Sequence, residues 1–303
     1  MKITAVIAGI LALNSYMLPA VADSPAPNGT KPVVLPMSAH ERANIDLIET
    51  WWLRVIEAGH LEFVPQYQAE TYIQHNPNIS TGRQGFLAAF GKDNTPVNPI
   101  PSHLTSSIPL AGARGDFVWI MREVPVKAPG DPARNLYRNG FDLLRLDHGQ
   151  IQEHWDVAHK NAGSGVVQFG QSPKPPGQFA TGKLNEREVA TRKIAVRAAT
   201  QVYLQHDASL MASLFTADYV EHDPNLLDRQ TFATQLANTG PAAALAGIDP
   251  TIAIVNGDYV LMMWKAASPD PDEPGKTYPW YYFQLIRVQD GKVAEHWDSE
   301  RPR

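Results

Sequence analysis

Apolar residues recur at helical spacing in two separate stretches of the chain. In both, positions three, four and seven apart carry the apolar side chains, which predicts an amphipathic helix with one buried face. The positions are Ile45, Ile48, Trp52, Val55 and Ile56 in the first stretch, and Val189, Val196, Ala199, Val202 and Tyr203 in the second.

A mixed pattern follows the first of these helices. A second short helix is predicted over residues 61–67, a loop over 72–77, and a third helix from near Gly82 that holds Phe86, Leu87 and Phe90. Strand-like apolar runs then cover residues 117–121, 141–146 and 151–157, and residues 147–150 have the composition of a hairpin turn. Helices followed by an antiparallel sheet predict an α+β fold with the helices on one face of the sheet.

The two stretches belong to an internal repeat. The sequence from Phe141 to Asp156 matches the sequence from Phe283 to Asp298 at a constant offset of 142 residues, ending in Glu-His-Trp-Asp in both. Residues 72–77 match residues 219–224 at an offset of 147, and residues 83–86 match 229–232 at 146. Because the order is preserved and the offset drifts by only a few residues, we interpret the chain as a duplication of one domain.

The repeat sets the predicted domain boundaries. Copy 1 covers residues 41–160 and copy 2 covers residues 186–303, with a Gly/Pro-rich linker at 161–185. A Pro-rich tail at 23–40 precedes copy 1. Residues 1–22 combine Lys2, an apolar run and a small-residue site ending at Ala22, which predicts a cleaved signal peptide and a secreted or periplasmic protein.

Composition narrows the classes of function. The 303 residues carry 26 Lys and Arg against 31 Asp and Glu, and this net charge of −5, without a basic cluster, argues against nucleic-acid binding. No apolar run is long enough for a membrane span. The absence of cysteine excludes disulfides, a thiol nucleophile and Cys-ligated zinc.

The repeated hairpin carries the candidate chemistry of copy 1. Side chains alternate along a strand, so His154 and Asp156 share one face while Glu153 and Trp155 share the other. If the hairpin pairs symmetrically about Gly149, Asp142 joins the face of His154 and Asp156. Two carboxylates and an imidazole are suited to general acid–base catalysis, and we expect His75 to approach the same site.

Structural roles compete with this interpretation. Trp155 is expected in the core, and His75 and His154 could serve only as buried hydrogen-bonding groups. A metal site is not expected, because no tight ligand spacing is present. The positions equivalent to the candidate site in copy 2 are His222, Gln284, His296 and Asp298, and Gln284 cannot titrate.

The loop at 72–77, the Gly-Arg-Gln-Gly-Phe segment at 82–86 and the hairpin ending in Glu-His-Trp-Asp resemble the SnoaL-like polyketide cyclase branch of the nuclear transport factor 2-like superfamily. Copy 1 matches all three elements and copy 2 matches chiefly the hairpin and the loop. The resemblance implies a cone-shaped domain, with three helices on a curved sheet around a deep pocket, and no cofactor.

The resemblance also implies a function. Asp156 would be the general acid/base, with Asp142, His154 and His75 as orienting groups, in an aldol cyclase, isomerase or dehydratase acting on a small apolar carbonyl compound. A non-catalytic, exported binding protein for a small hydrophobic ligand is the alternative, because polyketide substrates are normally carrier-bound inside the cell. The two copies are expected to pair through their sheets as an internal pseudo-dimer.

Overall fold

The computed structural model of the protein describes residues 35–91, 96–128, 131–165, 167–222, 229–242 and 245–299. The predicted signal peptide and residues 23–34 of the predicted tail lie outside these ranges, as do Asp223 and Pro224 of the second loop motif. Within the described residues, no helix is both long and apolar enough to cross a membrane.

Copy 1 begins with helical elements, as predicted. The first helix starts at Ala39, two residues before the predicted boundary, because Ser38 forms a capping box with Glu41. It continues without interruption into a π-helical turn. The elements are α1 (Ala39–Trp51), the π-turn Trp52–Glu57, a 3-10 turn (Leu61–Phe63), α2 (Val64–Tyr67) and α3 (Arg83–Phe90).

Five strands complete the described part of copy 1, two more than the sequence pattern predicted. They are β1 (Gln68–Gln74), β2 (Leu110–Arg114), β3 (Phe117–Ala128), β4 (Asp131–Asp147) and β5 (Gln150–Asp156). The prediction of a loop over 72–77 was wrong for its first half, because Tyr72, Ile73 and Gln74 belong to β1. The strand was missed because it pairs in parallel with β5, a long-range contact that leaves no hairpin signal.

Copy 2 repeats this sequence of elements. They are α4 (Glu186–Arg197), the π-turn Ala198–Leu204, a 3-10 turn (Ala208–Leu210), α5 (Met211–Leu214), β6 (Phe215–Glu221), α6 (Arg229–Asn238), β7 (Ile252–Asn256), β8 (Tyr259–Pro269), β9 (Thr277–Gln289) and β10 (Lys292–Asp298). Between the copies, the segment predicted as a linker carries a short 3-10 turn, Pro176–Gln178.

Two open, mixed sheets therefore form the framework of an α+β protein, and the predicted fold class is confirmed. Their strand orders are β1-β5-β4-β3-β2 and β6-β10-β9-β8-β7, which are equivalent in the repeat. Only the first pair of each sheet is parallel. In each sheet one face packs on the helices of its own copy, where it forms that copy's core.

The opposite faces of the two sheets share a third apolar cluster. It contains Phe117, Trp119 and Trp155 from copy 1 and Leu261 and Phe283 from copy 2, among others. Phe141 and Phe283, which are equivalent in the repeat, stack on each other with ring centroids 5.8 Å apart. The two sheets are therefore in direct contact through the faces that the helices leave open.

Candidate active site

The β4–β5 hairpin brings three ionisable side chains together on the helix-facing side of the first sheet. Asp142 pairs with Asp156 and Leu144 pairs with His154, as the symmetric pairing predicted. One oxygen or nitrogen from each of Asp142, His154 and Asp156 lies within 4.8 Å of the others, and all three residues are buried. The grouping predicted from strand alternation is therefore present.

A bulge in β5 produces this register. The turn at His148 and Gly149, both with positive φ, pairs Leu146 with Ile151. The register then shifts by one residue, so that Arg145 faces Glu153. The same bulge recurs in β10 of copy 2. Without the extra residue, Trp155 would lie opposite Asp142 on the helix-facing side of the sheet. His154 and Asp156 would then lie on the other side.

Asp142 is held as an anion by two cationic partners. Arg122 Nε donates to its Oδ2 over 2.7 Å, and His154 Nε2 lies 3.0 Å from its Oδ1. Burial by itself raises the pKa of Asp142. The charge of Arg122 and the hydrogen bonds from His154 and Arg122 outweigh burial and lower the pKa to about 2.

The hydrogen bonds of His154 identify its protonation state. Gln74 Oε1 accepts the backbone N–H groups of His75 and Asn76 over 2.9 and 3.0 Å, which fixes the orientation of the amide. The same oxygen lies 3.2 Å from His154 Nδ1, so Nδ1 must donate to it. Since Asp142 is ionised, Nε2 donates as well, and the ring is an imidazolium.

The direction of the pKa shift agrees with this assignment. Burial acts to lower the pKa of His154, but the hydrogen bond to Asp142 and the charges of Asp156 and Asp142 raise it overall. His154 is therefore a cation and a hydrogen-bond donor in this site, and it is not available as a general base.

Asp156 behaves in the opposite way to Asp142. Its Oδ2 accepts a hydrogen bond of 2.7 Å from Asn76 Nδ2, while its Oδ1 is buried and has no hydrogen-bond partner among the described residues. Burial is the largest cause of its raised pKa, which the charge of His154 counteracts only in part. Asp156 thus has one carboxylate oxygen, Oδ1, without a hydrogen-bond partner among the described residues, and it binds a proton more readily than an ordinary aspartate.

A small cavity adjoins Asp142 and His154 of this cluster. Its volume, measured as the space open to the centre of a water molecule, is about 20 Å³, which suffices for about one water molecule. One wall is aromatic and aliphatic and the other is polar. The lining residues are Trp51, Trp52, Ile56, Phe86 and Phe90 on the first wall, and Gln74, Arg122, Asp142 and His154 on the second. The π-turn Trp52–Glu57 supplies Trp52 and Ile56 to the apolar wall.

The three clustered groups do not form a favourable metal site. Both oxygens of Asp142 and both ring nitrogens of His154 are engaged in hydrogen bonds. The guanidinium of Arg122 and the imidazolium already supply positive charge, so Asp156 Oδ1 is the one free ligand atom of the cluster. A further cation here would be opposed by like charges.

His75 does not lie with the other predicted site residues. It follows the end of β1, and its ring stacks on Trp155 with centroids 4.9 Å apart, on the face of the sheet that contacts copy 2. Its Nε2 lies 2.9 Å from Glu153 Oε1. The expectation that His75 approaches the site was wrong, because the residue follows a strand and its side chain points to the other face.

The equivalent positions of copy 2 form a filled site. His222 stacks on Trp297 and pairs with Glu295, as His75 does with Trp155 and Glu153. His296 contacts Glu221 over 2.9 Å, and the Tyr203 ring stacks on it at 3.8 Å. Asp298 Oδ2 accepts a hydrogen bond from the hydroxyl of Tyr282. The same hydroxyl accepts a hydrogen bond from Gln284 Nε2.

Substitutions between the copies explain why the second site is filled. Copy 2 carries an aromatic residue at three positions where copy 1 does not. Tyr203 replaces Ile56, Trp264 replaces Arg122 and Tyr282 replaces Gly140, and all three aromatic side chains are fully buried. The bulky rings take the space that copy 1 leaves open.

The sequence reasoning missed Arg122, Gln74 and Asn76. The Arg-to-Trp difference between copies, one strand away from Asp142, is the signal that could have located Arg122.

A comparison with known families supports the predicted resemblance. Residues 196–296 match the family model of the SnoaL-like domain, which confirms the resemblance read from the hairpin and loop motifs. The match lies in copy 2, and the two equivalent sheets suggest the same domain in copy 1. No curated protein matches the chain.

Solved structures of similar proteins each cover about two fifths of the chain. IdmH, a putative polyketide cyclase from Streptomyces antibioticus, is 18% identical, with a TM-score of 0.28, over 38% of this chain and 90% of its own. A putative SnoaL-like polyketide cyclase from Jannaschia sp. CCS1 is 14% identical, with a TM-score of 0.28, over 40% and 90%. An LEH-like epoxide hydrolase from M. tuberculosis is 14% identical, with a TM-score of 0.29, over 39% and 83%.

Proposed function

We propose that copy 1 performs cofactor-free general acid–base catalysis on a small, largely apolar carbonyl compound. The observation that carries the proposal is the contrast between two neighbouring carboxylates. Asp142 is held ionised by Arg122 and His154, whereas Asp156 has a raised pKa and an oxygen without a partner. Neighbouring carboxylates whose pKa values are driven apart are typical of acid–base sites.

In this mechanism Asp156 Oδ1 takes a proton from the carbon next to the substrate carbonyl. The electron pair of the C–H bond moves into the enolate, and the new negative charge develops on the carbonyl oxygen. The guanidinium of Arg122 and the imidazolium of His154 supply the positive charge that stabilises that oxygen.

The protonated Asp156 completes the reaction by returning its proton. Return to a different carbon gives an isomerase, and return to an oxygen that leaves as water gives a dehydratase. If the enolate carbon first attacks a second carbonyl of the same molecule, the proton goes to the new alkoxide and the product is an aldol ring. All three outcomes use the same proton abstraction at Asp156.

Each chain would have one active site. In copy 2 Gln284 replaces the ionised carboxylate, and Tyr203, Trp264 and Tyr282 fill the space next to His296 and Asp298. The site in copy 1 is also closed to anything larger than water, so binding of substrate requires aromatic side chains of its apolar wall to move.

The proposed location is outside the cytoplasm. Lys2, the apolar run behind it and the Ala-Val-Ala sequence ending at Ala22 support export with cleavage of the leader. Sequencing the N-terminus of the protein recovered from its native host tests this. A mature chain that begins at Asp23 is expected, and a chain that retains Lys2 would refute the proposal.

Hydrogen–deuterium exchange tests the first chemical step without knowledge of the true substrate. The protein is incubated in D₂O with small cyclic ketones such as cyclohexanone and 2-cyclohexenone, and deuterium next to the carbonyl is measured by mass spectrometry. Asp156→Asn is expected to reduce catalysed exchange at least about 100-fold, since it removes the base. Asp298→Asn, the matched variant in copy 2, is expected to leave exchange unchanged.

The apolar wall of the cavity supports a second candidate, a binding protein without chemistry. In that case the ketones would bind, as seen by quenching of tryptophan fluorescence, but exchange would not exceed that of buffer. Undiminished exchange in the folded Asp156→Asn variant would eliminate Asp156 as the base.

A further inference from the structure

Copy 2 contributes a hydroxyl group to the neighbourhood of the copy 1 site. The faces of the two sheets that lack helices pack together, and this contact places Tyr281 of β9 against His75. The Tyr281 hydroxyl lies 3.2 Å from His75 Nδ1, and both side chains are buried. The two residues are 206 positions apart in the sequence.

The direction of this hydrogen bond follows from the other partners of His75. Glu153 accepts from Arg145 Nε over 3.1 Å and from the hydroxyl of Ser172, and it lies 2.9 Å from His75 Nε2. Nε2 therefore donates to this carboxylate.

The charged groups that face His75 are Glu153, His154 and Lys265. Burial is the largest cause of the lowered pKa of His75, so the ring is neutral and its Nδ1 is an acceptor. Burial also raises the pKa of Tyr281, so its hydroxyl keeps its proton and donates to Nδ1.

His75 is located between two residues of the proposed active site. Its backbone N–H donates to Gln74 Oε1 and lies 3.1 Å from the carbonyl oxygen of His154. The next residue, Asn76, donates from Nδ2 to Asp156 Oδ2 over 2.7 Å. The His75 ring is thus connected to Asp156 through the peptide bond between His75 and Asn76 and the hydrogen bond that Asn76 donates to Asp156.

The reverse contact is different. The position of copy 1 equivalent to Tyr281 is Asn139, which donates to the backbone carbonyl of Asp298 and not to His222. Copy 2, whose own site is filled, therefore supplies a hydroxyl to copy 1 without receiving an equivalent one. This one-way contact is not required by the symmetry of the repeat.

We propose that Tyr281 of copy 2 is a positioning residue for the active site of copy 1, acting through His75 to hold Asn76 against Asp156. The inference rests on the proposed function, because it assigns copy 2 a task in the chemistry of copy 1. Loss of the hydroxyl leaves His75 Nδ1 buried without a donor, so the ring must rotate or take up a proton. Either change displaces the adjacent Asn76.

The test is a titration of Asp156 in the full-length chain, followed by ¹³C NMR of its carboxyl carbon and assigned by the signal lost in Asp156→Asn. The hydrogen bond from Asn76 lowers the pKa of Asp156, against the effect of burial. Tyr281→Phe is therefore expected to raise that pKa by about half a unit or more, and Asn76→Ala is expected to raise it likewise.

Tyr278→Phe is the matched control. It removes another buried hydroxyl from β9, one that accepts from the backbone N–H of Lys160 and does not contact His75. It is expected to leave the titration of Asp156 unchanged. A folded Tyr281→Phe variant that titrates like the parent, while Asn76→Ala shifts, would overturn the proposal.

The outcome is independent of whether the site is catalytic. If Asp156 of the parent protein titrates at an ordinary value, or Asp156→Asn retains full exchange, the proposed function fails. The positioning role is judged separately, by the difference between Tyr281→Phe and Tyr278→Phe. Where catalysed exchange is present, its pH profile should move with the pKa of Asp156 in Tyr281→Phe and should stay in place in Tyr278→Phe.

Discussion

His75 and His154 are on opposite faces of the first sheet and have opposite electrostatic environments. His154 faces Asp142 and Asp156, and despite its burial these carboxylates raise its pKa. His75 faces one carboxylate, Glu153, which does not compensate for burial, and its pKa is lowered. One ring is therefore a charged part of the site and the other is a neutral link to copy 2.

These two shifts predict stability changes of opposite sign around pH 6.5, the ordinary pKa of histidine. His154 binds its proton more tightly in the folded state, so its stabilisation is complete below pH 6.5 and is lost as pH rises through the folded pKa. His75 resists protonation when folded, so stability is lost as pH falls below 6.5, where the unfolded chain takes up a proton.

Urea unfolding across about pH 5 to 8 measures both effects. His154→Gln should remove the decline in the free energy of unfolding above pH 6.5, and His75→Gln should remove the decline below it. His148→Gln, which changes an exposed ring in the turn, serves as the control. A His154→Gln variant with the same alkaline slope as the parent would show that the ring is not an imidazolium.

At the scale of the elements, the sequence predicted those helices, strands and turns whose formation depends on residues close together in the chain. The three helices of copy 1, the strands β3, β4 and β5 and the hairpin turn have local signals, namely apolar periodicity and turn chemistry. Strands β1 and β2 were missed. Both are edge strands of the sheet, and β1 pairs in parallel with a strand about 80 residues away, which no local pattern encodes.

The candidate site divides in the same way. The grouping of Asp142, His154 and Asp156 was predictable because strand alternation and one hairpin determine it. Arg122 comes from the neighbouring strand and Asn76 from the end of β1, so their roles depend on the long-range pairing of the sheet. The misplacement of His75 has the same origin, because its face follows from β1 being a strand.

Gly140 in β4 occupies the position that a buried tyrosine fills in copy 2. Tyr282 is its equivalent in copy 2, where the hydroxyl donates to Asp298 Oδ2 over 2.8 Å. A Cβ at Gly140 would meet Val124 Cγ2 at 3.3 Å and the Arg122 guanidinium at 3.4 Å, so neighbouring side chains must shift slightly. Gly140→Tyr is expected to fill the cavity, abolish ketone exchange and cost about 1–3 kcal/mol of stability.

Gly140→Ala is the control for that variant. It adds the Cβ without the ring, so exchange should persist at a rate close to that of the parent. If Gly140→Tyr folded and still exchanged ketones at the parent rate, the cavity beside Asp142 and His154 would not be the reaction site.

At the scale of the whole molecule, an apolar contact joins the two sheets in a chain that has no cysteine. The shared cluster buries large apolar side chains of both copies, and polar contacts accompany it. Trp119 Nε1 donates to Asn256 Oδ1 over 2.8 Å, and Arg114 of copy 1 forms a salt bridge of 2.7 Å with Glu188 of copy 2. Each sheet would otherwise expose this apolar face to water.

The stacked pair Phe141 and Phe283 joins the copies at equivalent positions, and both rings are fully buried. Phe283→Ala removes a ring of copy 2 and leaves a cavity next to Phe141 of copy 1. The substitution therefore weakens the packing between the two sheets. We expect a loss of about 3–5 kcal/mol in the free energy of unfolding. If the copies are one cooperative unit, near-ultraviolet circular dichroism and far-ultraviolet circular dichroism should shift together in denaturant.

Phe232→Ala is the matched comparison, because that ring is equally buried but lies in the core of copy 2 alone. In a cooperative molecule both variants unfold in one transition. If Phe232→Ala instead gave two transitions, with the copy 1 signal unshifted, the sheets would unfold independently.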